Sequence, residues 1–367
     1  MNDSNSLLDA QPETDPETLP RPSLSRTTQP LRSTVLPSPA KAQRDLPQTA
    51  SGAENVATAR QNIEAILSGD DSDRLLVICG PCSINDLNPA LVYAQKLSKL
   101  SDRVGDKLQL VMRTYFEKPR SVVGWKGLLY DTLQEGERSA SGGIAIARRL
   151  LTRINDNGVA CATEFLSPML ALFIEDTIAY GSIGSRTAES QIHRELASQL
   201  PLPIGMKNAM DGNPSSAINA VQAASQPHAV FSHNELGQPC LVETVGNPSA
   251  HVILRGGSTG PNFDAETVNA TINALSESPL RRPVVVDCSH GNSCKDHRQQ
   301  AKVAREVVRQ FREGQRGIAG IMLESYLVEG RQNAESGSPI RFGQSITDAC
   351  IGWDETESLL LEIADSL

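Results

Sequence analysis

From about residue 52 to the C-terminus, short apolar runs alternate with longer amphipathic ones, and this rhythm most narrows what the chain can fold into. "SGAENVATARQNIEAILSG" opens it with helical spacing and stops at Gly69. The short runs then fall at 75–83, 108–116, 159–165, 181–186, 203–208, 251–257, 284–290 and 320–325. Helical patterns cover 88–103, 142–156, 168–179, 190–199, 214–224, 264–277, 295–313 and 354–366. Strands separated by helices pair in parallel, and a parallel sheet needs helices over its faces. Eight such units predict an α/β fold closed into a (β/α)8 TIM barrel. Two more strand-like pieces, 228–232 and 239–245, flank the turn signal "HNELGQ". They predict a β-ribbon inserted between the fifth and sixth units.

The N-terminal end has a different character. Residues 1–50 hold eight of the 22 prolines, and the first aromatic residue of the chain is Tyr93. Such a segment buries too little apolar area to offset its ordering entropy. Residues 1–30 are therefore expected to be a disordered extension, 31–70 an arm and helix, and 71–367 the barrel. No apolar run reaches the roughly 18 residues that span a bilayer. The N-terminus lacks the basic and apolar regions of a secretory signal. Seven scattered cysteines fit a reducing cytoplasm rather than a disulfide framework. A net charge of −9 argues against nucleic-acid or anionic-membrane partners but permits a local basic pocket.

Barrel active sites form at the C-terminal ends of the strands. Here those ends carry Cys82, Arg113, Glu164, Arg186, Lys207, Arg255, His290 and Glu324. With Lys118 and Arg120, the cations make a set of six that would repel one another without a multiply charged anion between them. Guanidinium groups grip carboxylate and phosphate through paired hydrogen bonds, so a phosphorylated, carboxylated substrate, or two phosphorylated substrates, is expected. Cys82, His290 and Glu324, joined by Asp348 in "SITDAC", form a mixed donor set suited to a divalent transition metal. Cys79 and Cys82 also match the spacing of a redox dithiol or of half a zinc site. A redox dithiol needs an exposed first thiol, whereas Cys79 lies inside an apolar run. His193, His228, His233, His251 and His297 are expected to be structural or solvated.

The stretches "GPCSI", "MRTYFEKPR", "VGWKGL", "GSIGSRTAESQIHRELAS", "ILRGG", "DCSHGNS", "ESYLVEG" and "GQSITDACIGW" resemble type I 3-deoxy-D-arabino-heptulosonate 7-phosphate (DAHP) synthase, the subclass regulated by aromatic amino acids. The resemblance runs from about residue 33 to the C-terminus. It implies a barrel enzyme that condenses phosphoenolpyruvate with erythrose 4-phosphate and water, releasing phosphate, at the start of the shikimate route. It implies a metal (Mn2+, Fe2+, Co2+ or Zn2+) on Cys82, His290, Glu324 and Asp348. Arg113, Lys118 and Lys207 would hold the phosphoenolpyruvate carboxylate and neighbouring oxygens. Arg186 and Arg255 would hold its phosphate, helped by backbone N–H groups near Glu164 and Ser185. Arg120 and Ser121 would cradle the sugar phosphate, with Lys118, Cys82 and His290 as the catalytic set. An aromatic amino acid effector and a homodimer or homotetramer are also implied.

The chain departs from the family pattern at Asn85, where relatives carry His, in 130–141, in 165–170 and at Pro201. The last two border the family's feedback pocket. Two other readings are a paralogue using another phosphorylated aldehyde and a non-catalytic regulatory paralogue.

Overall fold

In the computed structural model the described residues are 35–120, 124–131, 140–276, 283–333 and 340–367. The barrel strands grow from aliphatic runs with no polar alternation, as strands covered on both faces require. They are β1 (Leu75–Gly80), β2 (Leu108–Arg113), β3 (Ala160–Glu164), β4 (Tyr180–Ile183) and β5 (Ile204–Lys207), then, past the ribbon, β8 (His251–Leu254), β9 (Val284–Asp287) and β10 (Ile318–Glu324). Every neighbouring pair is parallel, and the order β1-β10-β9-β8-β5-β4-β3-β2 closes on itself. The eight-unit barrel is thus as expected. Its centre is filled by Leu76, Ile78, Val111, Ala162, Tyr180, Ile253, Val285 and Met322, all nearly inaccessible to solvent.

The ribbon lies where the turn signal placed it. Its strands β6 (Ala229–His233) and β7 (Pro239–Glu243) pair antiparallel, from Ala229 opposite Glu243 to His233 opposite Pro239. Helices α1 (Pro39–Asp45), α2 (Ala50–Ser68), α3 (Leu87–Val104), α4 (Ala140–Asp156), α5 (Pro168–Ala171), α6 (Gln191–Gln199), α7 (Ser215–Ala224), α8 (Ala265–Ser276), α9 (Gln300–Arg312) and α10 (Trp353–Ser366) complete the fold. A short pair, β11 (Val328–Arg331) with β12 (Gln344–Ser345), was not anticipated.

One expected helix is wrong. The 168–179 pattern yields only the single turn of α5 and a 3-10 turn at Glu175–Thr177. The cause is Arg148 of α4, whose side chain is fully buried. Its guanidinium donates to Phe173 O at 2.7 Å and to both carboxylate oxygens of Asp176 at 2.6 and 3.0 Å. It also donates to Leu46 O at 3.1 Å. Thr177 N–H, which an α-helix would aim at Phe173 O, donates to Ile174 O at 2.9 Å, and the segment closes around the arginine. The same contact ties down residues 37–50, which also reach the ribbon turn through Ala40 N–H to Glu235 O at 2.8 Å. The expected disordered extension over 1–30 lies outside the described residues, as does Ser121.

Candidate active site and metal centre

The strands end at one mouth, and a cavity of about 510 Å3 opens there. Lys118, Arg120, Glu164, Ser185, Arg186, Lys207, Arg255, His290, Glu324 and Asp348 line it. Cys82 and Arg113 lie just beneath. The structure therefore brings together every described residue of the predicted site.

Arg113, at the end of β2, and Glu324, at the end of β10, are both fully buried and pair at 3.2 Å. Glu324 Oε2 accepts a hydrogen bond from Ser289 Oγ at 2.9 Å. Cys82 follows Gly80-Pro81, and β1 can approach β2 this closely only because Gly80 has no side chain. A Cβ there would lie 2.9 Å from Arg113 O. The Cys82 thiol receives Lys118 Nζ–H at 3.1 Å and sits 3.4 Å from Asp348 Oδ2. The ligand atoms of Cys82, Glu324 and Asp348 all lie within 4.8 Å of one another. His290 borders this cluster, with Nε2 3.7 Å from Glu324 Oε1.

These donors have the chemistry a metal requires. One sulfur, one imidazole and two carboxylates on separate loops suit a divalent transition ion. The other imidazole nitrogen, Nδ1, lies 3.0 Å from Asp287 Oδ2, off the line of a well-directed hydrogen bond. A carboxylate behind a ligating histidine is the usual arrangement of a metal site. The residues fit.

Asp287 escaped the sequence reading. In "VVVDCSH" nothing within a few residues distinguishes it. It is fully buried at the end of β9, 3.0 Å from Lys207 Nζ, and links a predicted anion-binding lysine to a predicted metal ligand. Burial opposes its ionisation, but His290 and Lys207 overcome that and hold it well below the usual carboxylate range. A second missed feature is a trio of buried asparagines. Asn208 Oδ1 accepts from Arg255 N–H at 2.7 Å and from Asn262 Nδ2 at 3.1 Å. Asn292 Oδ1 accepts from Asn262 N–H at 2.8 Å. These amides lock together the loops after β5, β8 and β9. Gly256 sits among them with φ +66, its missing Cβ leaving room for Gly291 and Asn292.

Among the described residues, seven Arg or Lys side chains line the cavity, Lys295 and Arg331 being additions to the predicted set, against the carboxylates of Glu164, Glu324 and Asp348. Burial lowers the Arg255 pKa, and Arg186 nearby lowers it further, although Asp287 pulls the other way. Burial likewise opposes charge on Lys118, yet Cys82, Glu324 and Asp348 raise its pKa overall, so it remains a cation. Glu164 Oε1 and Ser185 Oγ are buried at the cavity wall and find no hydrogen-bond partner among the described residues. Buried polar atoms are almost always satisfied; the Ser185 hydroxyl is free to donate to an anion, whereas the Glu164 oxygen only accepts and calls for a donor such as a water or a ligand hydroxyl. Three non-glycine residues with positive φ, His290, Cys294 and Lys295, cluster in the loop after β9. Such strain of roughly 1–3 kcal/mol each concentrates at functional sites.

Most of the remaining histidines behave as expected. His251 Nε2 meets Tyr180 Oη at 2.8 Å deep in the barrel, and His228 Nε2 donates to Ala223 O at 2.8 Å. His297 pairs with Glu329 at 2.9 Å but also lines the cavity, a position its polar surroundings in sequence did not reveal. Cys79 lies inside β1, and burial pushes its thiol up to about 12, which leaves no reactive dithiol.

A protein of Enterobacter agglomerans named phospho-2-dehydro-3-deoxyheptonate aldolase, Trp-sensitive, is 49% identical over 315 residues, 86% of this chain and 90% of its own length. A Salmonella typhi protein of the same name is 47% identical over 329 residues, 90% of this chain and 94% of its own. The solved structure of phospho-2-dehydro-3-deoxyheptonate aldolase from Francisella tularensis superposes with a TM-score of 0.89 at 39% identity, covering 92% of this chain and 98% of that one. The model of the DAHP synthetase I family matches residues 50–361, and with the barrel, the anion cavity and the mixed donor set already in place, the chain belongs to that family.

Proposed function

We propose that this cavity binds phosphoenolpyruvate and erythrose 4-phosphate side by side, next to a divalent metal held by Cys82, His290, Glu324 and Asp348. The reaction itself follows from membership of the family: the two substrates and water give 3-deoxy-D-arabino-heptulosonate 7-phosphate and inorganic phosphate, the first step of the shikimate pathway. C3 of the enol phosphate attacks the aldehyde carbon, water adds at C2, and phosphate leaves.

The observation that carries the residue assignments is the excess of cations in one closed wall of an acidic protein. Arg186 and Arg255, which already repel each other, are assigned to the phosphate of phosphoenolpyruvate, beside the unsatisfied Glu164 and Ser185. Lys207, braced by Asp287, and Lys118 take its carboxylate side, with Arg113 supporting from below. Arg120, whose Nε is fixed on Trp125 O at 2.8 Å, is assigned to the sugar phosphate, a role the family resemblance extends to Ser121. Fixed cations around two anions remove the entropy and reorganisation costs of bringing them together. When bound, the metal supplies Lewis-acid polarisation of the aldehyde. Lys118, held protonated by Cys82, Glu324 and Asp348, serves as a fixed cation and hydrogen-bond donor to the anion.

The ion is one of Mn2+, Fe2+, Co2+ or Zn2+. The relatives' names favour tryptophan as effector. Exposed Phe231 and Leu241, directly opposite each other on the ribbon, together with Val245, support a homo-oligomer. No helix among the described residues is long and apolar enough to cross a membrane, and with its bacterial biosynthetic relatives this supports a cytoplasmic enzyme. The test is phosphate release with both substrates and Mn2+, repeated with Phe, Tyr and Trp. Release that needs both substrates and metal supports the assignment. No release from metal-loaded protein would favour a regulatory paralogue.

A further inference from the structure

Glu117 is next to Lys118 in the chain, but no step above uses it. It is 4% exposed. Oε1 accepts the Tyr130 hydroxyl at 2.9 Å, and Oε2 accepts the backbone N–H groups of Leu166 and Ser167 at 3.3 and 3.2 Å. One carboxylate thus joins the loop after β2 to the loop after β3. The Leu166 peptide is gripped from its other side as well, since its carbonyl accepts from His193 Nε2 at 2.8 Å. His193 Nδ1 in turn meets Ser190 Oγ at 3.0 Å, in the segment that follows Arg186. The chain Glu117, Leu166, His193, Ser190 therefore spans the three loops that carry Lys118, Glu164 and Arg186.

We propose that Glu117 is a positioning residue for the condensation, pinning the loop after β3 to the loop after β2 so that Lys118 and Glu164 face the anion site from one braced backbone. This rests on the reaction assigned above. The groups that face the carboxyl are Tyr130 from its own loop, the two N–H groups, and Glu164 at the end of β3. Burial pushes the carboxyl up to about 7, Glu164 adds to that, and the three donors only partly offset it. The brace therefore has its full acceptor set above neutrality and loses part of it as the pH falls, loosening the anion site.

The test compares full-length, Mn2+-loaded wild type with Glu117→Gln, which is neutral at every pH, and with Glu117→Ala. Phosphoenolpyruvate affinity is read by tryptophan fluorescence, Trp125 being in the same loop, and kcat/KM by phosphate release. From pH 6 to pH 8 the ratio of wild type to Glu117→Gln should rise three- to tenfold in both readouts. At pH 6 Glu117→Gln should approach wild type while Glu117→Ala stays about tenfold weaker. Thermal unfolding reads the titration separately. An acid whose pKa is raised on folding makes the folded state less stable as pH rises from the unfolded to the folded value. Wild type should therefore lose Tm relative to Glu117→Gln between pH 4.5 and 7. A ratio that stays flat while this Tm shift appears would overturn the positioning role. Absence of turnover in wild type would instead count against the reaction, and the binding ratio would still decide the role of Glu117.

Discussion

At the scale of single residues, the site works by surrounding buried charges with fixed partners. Lys118 is the clearest case, since its ammonium touches the Cys82 thiol and lines the cavity. Lys118→Met should lower kcat/KM about 10²- to 10³-fold while Mn2+ affinity, measured by titration of the metal-free protein, changes by less than threefold. Asp287 acts one step back. Asp287→Asn leaves the shape but removes the charge that holds Lys207 and backs His290. Loss of such an outer partner costs roughly 10- to 100-fold in metal affinity or activity. Metal titration and the KM for phosphoenolpyruvate should therefore both worsen, and a change in only one would show that Asp287 serves a single partner. Residue types at strand ends were legible from the chain because an apolar run has a visible end. Asp287 was not, because its meaning lies in Lys207, 80 residues away.

Among the elements, the barrel strands and most helices follow from local periodicity, and the exception has an identifiable cause. Phe173 to Thr177 has helical spacing, but Arg148 reaches it from α4 and captures a carbonyl and a carboxylate. Arg148→Ala should leave those groups and Leu46 O without their partner. Breaking a buried charge pair costs about 3–5 kcal/mol, and the partial exposure of Asp176 reduces this to about 2–4 kcal/mol. Urea unfolding should show this loss. If the arm is held mainly through Arg148, limited proteolysis should also cut residues 37–50 faster in the variant. The loops after β5, β8 and β9 follow the same logic at smaller scale, since three asparagines that look like ordinary loop residues turn out to lock the cavity wall.

On the scale of the whole molecule, the ribbon offers the plainest surface. Phe231 is 91% exposed and Leu241 56%, an arrangement a solitary monomer gains nothing from. If the chain assembles through the ribbon, as proposed above, Phe231→Asp should shift it toward monomer in sedimentation or light scattering while changing the unfolding free energy of the subunit by no more than about 0.5 kcal/mol, as expected of a surface change. An unchanged assembly would remove the ribbon from the interface. By itself the sequence determined the barrel, the inserted ribbon, the cation excess and the donor types, because periodicity, turn chemistry and the ends of apolar runs are written within a few residues of one another. Only the tertiary structure decided that Asp287 serves both Lys207 and His290, that Arg148 breaks a helix, and that Glu117 braces two loops. Those facts arise where closing the barrel brings distant side chains into a space without water, and there each buried charge must take whichever partner the fold delivers.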